Sequence, residues 1–150
     1  MKPSDMFSHW KRVRDDLLHT IDLFREDELL HIPGETSRTV GRTMLHIADA
    51  EDGWFRYAVT KELDEWPSQY TLENYPNREA IKKVLTDVHE RTEEYLDTLE
   101  ESDMARIIEA PWGDKFYLSW IVWHVLEHEI HHRGELSLIL GLLGREGLDV

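Results

Sequence analysis

The chain has 150 residues, 41% of them apolar and 32% charged, a composition that suits one globular domain with a core large enough to need no staples. Its formal net charge of −14 disfavours phosphate backbones, and its densest basic run (Lys11, Arg12, Arg14) is followed at once by Asp15 and Asp16, so no nucleic-acid partner is expected. Cysteine is absent, which removes disulfides, thiolate nucleophiles, iron–sulfur clusters and Cys-type zinc fingers, and no 18-residue apolar run is present to span a membrane.

The opening residues Met1-Lys2-Pro3-Ser4-Asp5 lack the apolar core of a signal peptide, so the expected address is the cytoplasm. No internal repeat or Gly/Ser-rich linker divides the chain, and residues 1–150 read as a single domain. A first helix is expected from about Pro3 to Phe24. Met6, Trp10, Val13, Leu17, Ile21 and Phe24 recur there at steps of three and four, and Ser4 or Asp5 can cap the start. Pro33-Gly34 breaks the chain. A second helix is expected from Thr36 or Ser37 to Thr60, with Val40, Met44, Ile47, Trp54 and Ala58 on its apolar side.

A looser stretch from about Lys61 to Pro76 leaves room for a crossover connection. Asn77 caps a third helix, with Ile81, Leu85, Val88, Tyr95 and Leu99 as its stripe and Thr92 filling one step. Residues 102–117 lose the helical period. Pro111-Trp112-Gly113-Asp114 there predicts a turn between two short strands. A fourth helix runs from Leu118 or Ser119 to about Leu143, where Gly144 can end it. Four amphipathic helices and little strand signal predict an all-α fold, a four-helix bundle with a short hairpin before the last helix.

The last helix carries the chemistry. His124, His128, His131 and His132 lie within nine residues. At about 100° per residue, His124 and His132 flank His128 by about 40° on either side, with His131 at about 60° and Glu135 at about 20°. His128 and His132 stand in the apolar stripe, where Leu or Val is expected, and a buried imidazole needs a partner. Two histidines at i and i+4 project in parallel and suit one metal ion, imidazole being a ligand for zinc, nickel, copper or iron. The third ligand must come from another element. His46, the one histidine of the second helix, is the candidate, and Ala50 and Gly53 near it are small enough to leave an open volume. His124 and His131 read as supporting residues, and His9, His19, His31 and His89 as surface or boundary residues.

His128-Glu129-Ile130-His131-His132 also matches the H-E-x-x-H pattern of zinc proteases. The metzincin extension fails, since Leu138 stands where its third His belongs, and no sheet is expected to bind a peptide. Glu129 as a base toward metal-activated water is what survives of that reading. Glu129-x-x-His132 fits half of a di-iron carboxylate motif, but no second half faces inward from the first or third helix.

Three stretches make the chain resemble the DinB / YfiT-like superfamily of small bacterial metal-binding four-helix bundles. They are Thr43-Met44-Leu45-His46-Ile47-Ala48, the run from Trp123 through His128 and His132 to Arg133-Gly134-Glu135, and Leu140-Gly141-Leu142-Leu143-Gly144. Glu135 departs from the Gln usual there. The resemblance implies His46, His128 and His132 as the metal ligands, zinc or nickel as the ion, and a homodimer. It also implies chemistry with a small-molecule substrate. The leading class is a thiol (S-)transferase using a low-molecular-weight thiol, with Tyr57 and Asp49 orienting or protonating and Trp54, Trp120 or Trp123 lining a pocket. A metal-dependent hydrolase, with Glu129 or Asp49 as base, and a non-catalytic metal-binding or stress-response dimer are the other two.

Overall fold

A computed structural model describes residues 1–35 and 37–150. Thr36, one of the two expected starts of the second helix, lies outside the described residues. The helices are α1 (Pro3–Met6), α2 (His9–Leu23), α3 (Val40–Asp52), α4 (Arg78–Asp97) and α5 (Leu118–Leu142), with a two-stranded hairpin of β1 (Ile107–Glu109) and β2 (Lys115–Tyr117) before α5. The expected first helix is broken at Phe7 and Ser8, which turns Phe7 inward and leaves Met6 exposed. Single 3-10 turns at Glu26–Leu30 and Glu101–Ala105 follow α2 and α4. Such short turns carry no periodic signal to read in advance.

The ends follow local chemistry. Thr39 accepts from the Arg42 N–H at the start of α3, and Asn77 accepts from the Ala80 N–H at 2.9 Å at the start of α4. The hairpin pairs Ile108 with Phe116 in antiparallel register, and Gly113 supplies the positive φ of 98° in its turn. Past Asp52 the helix widens to a π turn over Gly53–Val59.

Two apolar cores fill the bundle. One gathers Leu17 and Ile21 of α2, Met44 and Ile47 of α3, Leu85 of α4 and Leu136 and Ile139 of α5. The other gathers Trp10, Val13, Phe55, Leu96, Ile121 and Val125. Following each helix from core to core gives its direction: α2 and α5 run one way, α3 and α4 the other. The parallel pair α3 and α4 are neighbours, so the connection through residues 60–77 must carry the chain back along the bundle, the expected crossover. Tyr70 anchors it, buried in the first core with its hydroxyl donating to Asp52 Oδ2 at 2.6 Å. No helix among the described residues is long and apolar enough to cross a membrane.

Between the two cores lies a polar layer. Arg14 of α2 donates from Nη2 to Glu51 of α3 at 2.6 Å and from Nε to Glu129 of α5 at 2.8 Å. Trp10 Nε1 donates to Glu129 at 2.6 Å, and His89 of α4 meets Glu51 at 2.8 Å. All four bundle helices contribute, and each of these side chains is buried. Burial alone raises the Glu51 carboxyl, but the Arg14 charge and then His89 outweigh it and hold the group well below the usual carboxylate range.

Candidate metal centre

The groove between α3 and α5 brings the three expected histidines together. His46, His128 and His132 each direct a ring nitrogen to a common point, the three atoms lying within 4.8 Å of one another. Nε2 of His46 is 3.0 Å from Nε2 of His128, and the ring centroids are 4.7 Å apart for that pair and 5.0 Å for His46 and His132. His132 is buried, while His46 and His128 are half-buried and reach the surface. The 82-position separation of His46 and His128 is closed by the α3–α5 contact, and one turn of α5 joins His128 to His132.

Carboxylates fix the rings from behind. Nδ1 of His46 is 3.1 Å from Asp49 Oδ2, and Nδ1 of His132 is 2.8 Å from Glu135 Oε2. Each carboxylate accepts, so each Nδ1 bears the hydrogen and each Nε2 keeps its lone pair. Burial first, then the charges of His132 and His46, pushes His128 down to about 3. Burial also lowers His132, against the opposing pull of Glu135. Three imidazole nitrogens converging on one point form a donor set that fits a divalent ion of the zinc or nickel type.

The remaining expectations fare differently. Asp49 lies at the centre but is not free: Trp66 Nε1 donates to its other oxygen, Oδ1, at 3.1 Å. Glu129 points toward α2 instead of toward the histidines. Both of its oxygens are taken by Trp10 and Arg14, which corrects its reading as a base beside the metal. Tyr57 sits in the π turn with its ring against Trp66 and Trp112, and its hydroxyl has no hydrogen bond to the histidines. The open volume expected beside Gly53 is filled: a Cβ there would meet the Trp66 ring at 2.3–2.7 Å. His89, expected at the surface or a boundary, is buried in the polar layer. Arg133 pairs with Asp16 of α2 at 3.5 Å.

An aromatic wall adjoins the histidines. Trp54 is met edge-on by Trp66, Trp112, Phe116, Trp120 and His124 at centroid distances of 5.2–6.2 Å. His124 stacks on Trp120 at 4.6 Å, which places it in this wall rather than on the common point of the three imidazoles. His124, Glu127, His128 and His131 line a shallow cavity of about 270 Å³ on the outer side.

The family model described as the DinB superfamily matches residues 9–136. An uncharacterized protein of Bacillus subtilis, YizA, is 25% identical over 134 residues, covering 88% of this chain and 82% of its own. A solved DinB-like protein from Bacillus cereus superposes with a TM-score of 0.74 at 18% identity, over 96% of this chain and 94% of the other. YfiT from Bacillus subtilis superposes with a TM-score of 0.61 at 20% identity, over 89% and 87% of the two chains. It is described as a probable metal-dependent hydrolase with an unusual four-helix bundle topology. With its family model matched from α2 into α5, this chain belongs to the DinB superfamily.

Proposed function

We propose that the chain is a metal-dependent enzyme of the thiol (S-)transferase type. His46, His128 and His132 hold a divalent ion, zinc or nickel, and a low-molecular-weight thiol is the co-substrate. The observation that carries the reading is the convergence of the three ring nitrogens within 4.8 Å, two of the rings braced by carboxylates. A bound divalent ion supplies Lewis acidity, lowering the pKa of a thiol or water that it ligates.

The chain's own residues do the positioning. Asp49 and Glu135 fix ring orientation, and Trp66 fixes Asp49. The wall of Trp54, Trp120 and His124 offers a small-molecule electrophile an apolar surface. Both carboxylates named as bases are spent, Asp49 on His46 and Trp66, Glu129 on Arg14 and Trp10. Attack by water calls for a positioned base, whereas a thiol gives up its proton far more readily. That difference favours the thiol.

A hydrolase is the second reading, favoured by the likeness to YfiT. Its base would be Glu135, which uses one oxygen on His132 and is a third exposed. The two readings separate in one assay series on zinc- or nickel-loaded protein. Thiol consumption that needs both an electrophile and an intact His128 supports the transferase. Ester or amide turnover without thiol replaces it with the hydrolase. Failure to bind zinc or nickel at all overturns both.

We further propose that the protein works in the cytoplasm as a homodimer joined along α5. The outward side of that helix carries Trp120, Trp123, Ile130, Leu138 and Leu142, all exposed, and the open positions of Gly134 and Gly141. An exposed apolar stripe of this length is what a second helix would cover.

A further inference from the structure

A cavity of about 320 Å³ opens between α3 with its π turn and α4. None of the three histidines of the metal centre lines it, and α3 separates it from the α3–α5 groove. Phe55, Val88 and Tyr95 give it an apolar wall. Glu51 and Asp52 are the buried acids of its lining, and Glu62 and Glu94 the exposed ones. Arg56 and Arg91 are its cations. The π turn supplies Phe55 and Arg56, and such turns within helices recur at functional sites.

Two guanidinium groups share one carboxylate here. Asp52 Oδ1 accepts from Arg56 Nε at 2.6 Å and from Arg91 Nη2 at 3.2 Å. Its Oδ2 accepts from Arg56 Nη2 at 2.8 Å and from the Tyr70 hydroxyl at 2.6 Å. Those four bonds fill the acceptor sites of the carboxylate. Glu51 is likewise spent, on Arg14 and His89. Among the described residues, Nη1 of Arg56 and both Nε and Nη1 of Arg91 donate to no protein group. Neither Glu62 nor Glu94 pairs directly with either arginine. The Glu62 charge still raises Arg56, behind the larger effect of the hydrogen bond to Asp52. Glu62 therefore stands close to the guanidinium pair without touching it.

We propose that this cavity is a second ligand site, taking a small zwitterion of the α-amino acid class. Its carboxylate accepts from the free N–H groups of Arg56 and Arg91, its ammonium faces Glu62, and an apolar side chain lies against Phe55 and Tyr95. Guanidinium groups are always protonated, so these donors do not depend on a tautomer or a titration. Their N–H groups suit a carboxylate in direction as well as charge. A simple anion would gain the same contacts but meet Glu62 and Glu94, and a simple cation would meet the two guanidiniums. In an α-amino acid the two charges flank one carbon, which matches protein charges of opposite sign that stand near each other unpaired.

The test is independent of the metal. Side-chain ¹H–¹⁵N spectra follow the Nε–H signals of Arg56 and Arg91 as L-leucine is added to the whole protein at neutral pH. The expected result is a saturable shift of both signals. Isopentylamine lacks the carboxylate and 4-methylpentanoate lacks the ammonium, and each should bind about tenfold more weakly than leucine. Arg91→Gln, read at the Arg56 signal, should weaken leucine about tenfold as one charge-assisted contact is lost. Arg91 is exposed, so this variant keeps the fold. Glu62→Gln should bring leucine and 4-methylpentanoate closer in affinity. No saturation, equal binding of the amine or of 4-methylpentanoate to the wild-type protein, or unchanged leucine affinity in Arg91→Gln would each overturn the proposal.

Discussion

Nε2 of His46 and Nε2 of His128 stand 3.0 Å apart, a distance two imidazole lone pairs keep only with a proton or a cation between them. His46 already carries its hydrogen on Nδ1 toward Asp49. A divalent ion between the rings would satisfy both lone pairs at once. Untagged protein is expected to hold about one equivalent of zinc or nickel per chain by elemental mass spectrometry, as suits a three-imidazole site. His46→Ala, His128→Ala and His132→Ala should each lose it. Retention of a full equivalent in any of the three would remove that residue from the site.

The brace behind His46 has its own signature. Asp49→Ala frees the ring to rotate, and metal affinity should fall by about 10- to 100-fold while the helix content stays unchanged. Competition with a chromogenic chelator measures this directly. Gly53→Ala reaches the same brace from a residue that touches no ligand. Its Cβ would fall 2.3–2.7 Å from the Trp66 ring, which must move and take its N–H from Asp49. A stability loss of about 1–3 kcal/mol with weakened metal binding is expected. Full stability and full affinity in this variant would show that Trp66 gives way freely.

The sequence exposed some of this and hid the rest for physical reasons. His128 and His132 were legible because a four-residue step puts both in a stripe otherwise filled by Ile121, Val125 and Leu136. The third helix was legible from Asn77 and its period, and the hairpin from the turn at Gly113. Arg14, Glu51 and His89 were not, since each looks like one more charged or polar residue on its own helix. Only the meeting of four helices, up to 119 residues apart for Trp10 and Glu129, turns them into a buried network. Glu129 was misjudged because its motif describes neighbours along the chain. The side of α5 it occupies is set by Arg14 instead.

Glu129 thus offers a test between two roles. A buried pair that loses one member leaves the other charge stranded, so Glu129→Ala should cost about 3–5 kcal/mol in chemical denaturation. The folded fraction should keep its metal. A base beside the ion would behave the other way, with activity lost and stability little changed.

Acid should act through the same layer. The Glu51 carboxyl lies below its ordinary 4.5 in the folded chain, so the unfolded chain binds the proton more readily. The stability Glu51 contributes is full above that ordinary value and drains away as pH falls through the depressed folded value. Urea midpoints should therefore drop steadily from pH 5 downward, and Glu51→Gln should flatten the slope. A slope unaltered by the substitution would assign acid sensitivity to other carboxyls, such as Glu28 and Asp52, which are also held low.

The outer face of α5 gives the last expectation. Trp123 is 59% exposed, with Phe7 against one edge of its ring at 5.3 Å, and Ile130 and Leu138 continue the same face. Each is costly to leave in water, and Glu127 is the one carboxylate that interrupts the run between Trp120 and Ile130 on that face. A charge at its centre should oppose pairing without disturbing either core, because Ile130 belongs to neither. Ile130→Glu is expected to sediment as a monomer where the wild-type chain sediments as a dimer, with an unchanged thermal transition at high dilution. If the wild-type protein is itself monomeric at micromolar concentration, the apolar face of α5 does not join two copies, and the dimer is withdrawn while the metal centre stands.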